Sequence, residues 1–164
     1  MKIIILLVFI LSVQVSSAKD KCTFDFKEFH SLLNNKSKKF KSMKLEIKDE
    51  TSKTITQQAK LKSGVNILFI GGGCNHFSYS FNYSKIKVKG KKIQDQFKKA
   101  HDLLVSTDVE KKYSNVLIEA LDKMIKAPIK KSKTMVYDLS CGDALCSLDL
   151  SSNNSIKISY SLAL

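Results

Sequence analysis

From Phe77 to Ser84 the chain alternates without a fault: Phe77, Tyr79, Phe81 and Tyr83 take one set of positions, and Ser78, Ser80, Asn82 and Ser84 the other. Successive strand side chains point to opposite faces, so this octet predicts a β-strand with one aromatic face and one small, polar face. Four aromatic rings in a row could serve as a stacking platform for sugars or bases. An apolar stripe at strand period is more simply the buried face of a sheet, and helices elsewhere in the chain need such a face to cover.

The segments around it supply both. Met43, Leu45 and Ile47 alternate with charged residues as a half-buried strand; Ile55, Gln57, Ala59 and Leu61 mark a weaker return strand. The continuous apolar run 65–70 predicts a strand covered on both faces. The aromatic strand could run on through Ile86 and Val88 to Gly90. The period then lengthens: Ile93, Phe97, Ala100 and Leu104 fall at helical spacing, and a second stripe runs from Val109 through Val116, Leu117, Ala120 and Leu121 to Ile125. Thr107 and Glu110 have capping-box spacing, which starts the second helix at Thr107, and Pro128 ends it by Ala127. Residues 135–139, 145–150 and 156–162 read as three closing strands. Phe24, Phe26, Phe29, Leu32 and Leu33 predict a short N-terminal amphipathic helix. The expected class is α+β: an antiparallel sheet of about six to seven strands, with a helical hairpin and the short N-terminal helix on one face.

Lys2, the apolar run 3–13 and Ser16-Ser17-Ala18 have the order of a secretory signal peptide, with cleavage expected near Ala18. The apolar run is shorter than the roughly 20 residues a membrane-spanning helix needs, so no span is expected in the mature chain. Residues 19–164 then form a single domain of secreted or periplasmic location. In that setting Cys22, Cys74, Cys141 and Cys146 are expected as two disulfides. Cys141 and Cys146 flank the turn-forming pair Gly142-Asp143 and are paired, which leaves Cys22 with Cys74. A zinc site would need two closely spaced ligand pairs, and the cysteines lack them. No metal or cofactor is expected.

All 28 basic residues other than histidine are lysine; removing Lys2 with the leader leaves 27 against 15 acids, a net charge of +12. Lysine is a hydrated point charge, and without arginine's bidentate fork specific nucleic-acid recognition is not expected. Much of the charge is ordinary solvated surface, with salt-dependent attraction to an acidic surface or polymer as its functional use.

Candidate chemistry is sparse. The glycine run Gly71-Gly72-Gly73 lacks the Lys-Ser/Thr ending of a phosphate loop and leads into a strand, so it predicts a tight or bulged turn. Cys74 and His76, with Asp143 to orient the imidazole, could form a thiol nucleophile and base, but an oxidised thiol is inert. His30 and His101 have no neighbours at metal-ligand spacing. Asn35, Asn82 and Asn153 head glycosylation sequons, relevant only in a eukaryotic secretory pathway.

Two functions follow. The first is a non-enzymatic exported binding protein, such as a periplasmic inhibitor, immunity protein or host-directed factor, with a protein or an acidic surface or polymer as partner. Its binding loops would be Gly72, Gly73, Asn75 and His76 together with Gly142 and Asp143, because tethered loops lose less entropy on engagement. The alternative is a small secreted hydrolase of cell-wall or host polymers built on His76 and Asp143.

Overall fold

The computed structural model describes residues 38–49, 53–73, 76–87, 92–107, 109, 111–130, 133–150 and 154–163. Four strands come first: β1 (Phe40–Asp49), β2 (Thr54–Leu61), β3 (Asn66–Gly72) and β4 (His76–Ser84). Two helices follow, α1 (Ile93–Ser106) and α2 (Lys111–Lys126), and then β5 (Val136–Cys141), β6 (Ala144–Asp149) and β7 (Ser155–Ala163). The strands form one antiparallel sheet in the order β1-β2-β3-β4-β7-β6-β5. The fold is therefore α+β, with seven strands and a helical hairpin. The expected N-terminal helix and the Cys22–Cys74 bridge lie outside the described residues.

The alternating octet 77–84 becomes part of β4, the centre of the sheet. It pairs with β3 on one side and with β7 over its whole length on the other, from His76↔Ala163 to Ser84↔Ser155. Tyr79, Phe81 and Tyr83 are buried, and Phe77 packs against the same core. Phe81 lies between Phe69, at a ring separation of 5.2 Å, and Tyr83, at 6.3 Å; Tyr79 stacks on Tyr160 at 4.8 Å. The rings are core, and each fully buried phenylalanine contributes about 1.5–3 kcal/mol by removal from water.

α1 and α2 close the aromatic side. Phe97, Ala100, Leu103 and Leu104 from α1 and Leu117, Ala120 and Leu121 from α2 join the strand residues in one core. Phe97 meets Tyr137 of β5 edge-on at 5.2 Å. A buried relay fixes the helices to β4: Thr107 Oγ1 donates to the Leu103 carbonyl at 2.8 Å and lies 3.0 Å from Tyr83 Oη. Thr107 has one hydroxyl hydrogen and spends it on Leu103, so the Tyr83 phenol is the donor to Thr107. Burial pushes the Tyr83 phenol well above its usual range, only partly offset by the bond to Thr107.

This relay corrects the capping-box expectation. Thr107 does not open the second helix: it closes the first, its N–H bonding the Leu103 carbonyl, and α2 begins at Lys111. The hydroxyl has a better use in the core than at a helix N-terminus. The predicted end is observed, since α2 stops at Lys126 and Ala127 N–H bonds back to Lys123 and Met124.

Two strand expectations also change. β4 stops at Ser84, where Lys85 adopts φ 61° and Ile86 N–H leaves the β3–β4 ladder to bond Asn154. β3 is not covered on both faces: Ile67 and Phe69 are buried, whereas Leu68 is half-buried and Ile70 is 41% exposed. Its apolar run belongs to an interior antiparallel strand whose second face is partly exposed and has no described helix packed on it.

β1 lies at one edge of the sheet, and its pairing with β2 is irregular at two places, between Phe40 and Ser42 and between Leu45 and Ile47. At the other edge, the two-residue turn Gly142-Asp143 joins β5 to β6, with Gly142 at φ +70°, a conformation that favours glycine.

Candidate functional site

The antiparallel ladder gathers the loops that the sequence singled out. The β3–β4 connection, the β5–β6 turn and the last residues of β7 all lie at one end of the sheet. Gly72 and Gly73 have φ of +131° and +119°, and Gly73 N–H bonds the Lys53 carbonyl at 3.1 Å. A Cβ on Gly72 would run into that carbonyl, so glycine is required where the β1–β2 hairpin crosses close by. Asn75 and Cys74 lie outside the described residues. His76 is the first residue of β4, opposite Ala163, and the β6–β7 ladder ends at Leu145↔Ser161, two residues short of Asp143. β7 therefore lies between the strand that carries His76 and the hairpin that carries Asp143.

The hairpin beside them is stapled as expected. Cys141 and Cys146 form a disulfide across Gly142-Asp143, their Cα atoms 6.0 Å apart. They are diagonal neighbours in the β5–β6 register, and Cys146 is buried in the core. Next to them Leu145 stands on the opposite face with 79% exposure, the most exposed large apolar residue among those described.

A different part of the same open face is concave. Ser42 and Lys44 of β1, Gln58 and Lys60 of β2, Asn66 and Leu68 of β3, and Ser84 of β4 line a groove of about 430 Å³. The register explains the composition. One rung across the sheet reads Ser42↔Lys60↔Asn66↔Ser84, and the next reads Lys44↔Gln58↔Leu68↔Asn82, continuing beyond the groove to Lys157 on β7 and Asp149 on β6. Every strand residue here has its neighbours in sequence on the opposite face, so the apolar halves of β2 and β4 are in the core while their polar halves meet in the groove. Its described lining holds two ammonium groups and no carboxylate, imidazole or thiol. The sequence did not reveal this site, because it combines alternate residues from four strands that only the register aligns.

The remaining histidine with described contacts is on the helices. His101 Nε2 of α1 lies 3.3 Å from Asp122 Oδ1 of α2, and His101 Nδ1 lies 3.4 Å from Asp102 Oδ1. The adjacent Asp102 was visible in sequence, whereas Asp122 is brought in by helix packing. Among the described residues no group of three or more His, Cys, Asp or Glu is arranged to hold a metal ion. No described helix is long and apolar enough to cross a membrane.

No protein-family model, curated protein or solved structure matches this chain significantly.

Proposed function

We propose that this protein is an exported binding protein that recognises an acidic ligand through the open face of its sheet. The observation that carries the reading is the groove over β1–β4, where Lys44 and Lys60 stand among amide and hydroxyl side chains with no carboxylate in the described lining. A concave surface of one charge sign concentrates oppositely charged ligands and orders them by hydrogen bonds. The described lining sets no carboxylate, imidazole or thiol beside its lysine and serine side chains, which favours recognition over catalysis as the use of the groove. The stapled turn at Gly142-Asp143 and the Gly72–Gly73 turn, at the other end of the same sheet, would extend the contact for a large partner.

The test separates a built site from general charge. Lys44→Glu/Lys60→Glu is compared with Lys98→Glu/Lys111→Glu, which changes two exposed helical lysines and leaves the same net charge. Retention on an immobilised polyanion at physiological salt is expected to fall at least ten-fold more for the groove pair than for the helical pair. Equal losses would reduce the interaction to diffuse charge and remove the groove from the function. Export is checked by sequencing the N-terminus of the secreted protein, expected to begin at Lys19.

A further inference from the structure

We infer that the ligand of the β1–β4 groove is an acidic polysaccharide; this rests on the binding role proposed for that groove and names the ligand's chemistry. Three features narrow the class. First, the groove mixes charge with neutral hydrogen-bonding groups: Lys44 and Lys60 are accompanied by Gln58, Asn66, Ser42 and Ser84. Amides and hydroxyls both donate and accept, so a ligand that satisfies them carries hydroxyl groups as well as negative charge.

Second, the groups are arranged in two rungs. Neighbouring strands are about 4.8 Å apart, and residues two apart along a strand are about 7 Å apart. A ligand lying across the strands meets a fresh side chain at each strand, on two parallel tracks: Ser42, Lys60, Asn66 and Ser84 on one, Lys44, Gln58 and Leu68 on the other. An extended sugar chain, with one ring per step and substituents on both sides, fits a two-track ladder. Half-buried Leu68 offers the apolar floor that the carbon face of a sugar ring needs.

Third, the competing polyanions need features this face lacks. Single-stranded nucleic acid is held by exposed aromatic platforms, yet Phe69, Phe81 and Tyr83 beneath the groove belong to the buried core. An acidic peptide that binds a sheet as a strand pairs with a free edge through its main chain, whereas the groove lies on the face, where backbone groups are already paired between strands.

The deciding experiment is calorimetric titration of the purified protein with polygalacturonate, neutral dextran, poly-glutamate and a single-stranded oligonucleotide at matched salt. Polygalacturonate is expected to bind at least ten-fold more tightly than the other three. Gln58→Ala/Asn66→Ala should weaken it about five-fold while leaving the melting temperature and net charge unchanged. Poly-glutamate or oligonucleotide binding as tightly as polygalacturonate, abolished by Lys44→Glu/Lys60→Glu, would overturn the polysaccharide assignment and leave the acidic-ligand reading standing. Equal binding of dextran would also overturn it, because the lysines would then play no part. Failure of every polymer to bind would overturn both.

Discussion

The two faces of the sheet are written by the same strands in alternate letters, and they obey opposite rules. On the covered face one rung runs Gln57, Phe69, Phe81, Ile158, Leu148 and Tyr137; every member is buried. One step along the strands, the open face reads Thr56, Ile70, Ser80, Ser159, Ser147 and Asp138. Stability is concentrated on the first rung, because apolar area is removed from water there. The second rung is less constrained, since the threonine and serines that make up most of it contribute little to folding at the surface. A single strand therefore meets two environments at neighbouring positions.

Adjacent residues make the sharpest test. Phe81→Ala should destabilise the protein by about 3–5 kcal/mol in chemical denaturation, because it empties a fully buried ring position between Phe69 and Tyr83. A loss under 1 kcal/mol would show that the covered face is not the seat of stability.

The relay at the rim of that face comes next. Thr107→Val should cost about 1–3 kcal/mol by leaving the Tyr83 hydroxyl buried without an acceptor. The double variant Tyr83→Phe/Thr107→Val should recover part of that loss, since both partners are then removed together. The raised phenol also links the relay to pH. Its folded-state pKa lies above the unfolded value of 10.0, so its contribution is complete below pH 10 and is lost as alkali ionises the unfolded chain. Denaturation curves for the native chain and Tyr83→Phe should diverge progressively above that pH.

Gln57 is the exception that sharpens the rule. It is 1% exposed in an otherwise hydrophobic rung, and its Oε1 has no hydrogen-bond partner. Gln57→Met keeps the shape, removes the unsatisfied oxygen and should raise stability by about 1 kcal/mol. A fall in stability would mean that the amide is satisfied in solution. The smallest effect is expected next door to the largest: Ser80→Ala, on the open rung, should stay within about 0.5 kcal/mol of the parent.

The sequence made one face far easier to read than the other. Phe77 to Tyr83 announces a strand because its period is local, and the Cys141–Cys146 bridge was legible because a two-residue turn leaves these cysteines close together. Thr107 misleads because its spacing to Glu110 is a local cue, whereas its partner Tyr83 comes from a strand 24 residues away. The apolar run of β3 suggests cover on both faces; the alternation of buried Ile67 and Phe69 with exposed Ile70 appears only once the helices are seen to pack on one side. The groove was illegible for a related reason. Ser42, Lys60, Asn66 and Ser84 are unremarkable one at a time and become a surface only when four strands are aligned.

The irregular pairing of β1 has a consequence for how the protein behaves in a crowd. Among the described strands its outer backbone is an unpaired margin of the sheet, and such margins invite identical molecules to add strand upon strand. Two breaks in the pleat within ten residues, with the exposed ammonium groups of Lys41 and Lys44 along the same stretch, deny a straight newcomer more than a few matched rungs. Fibril growth from this margin is thereby starved of a template, and concentrated solutions should stay clear.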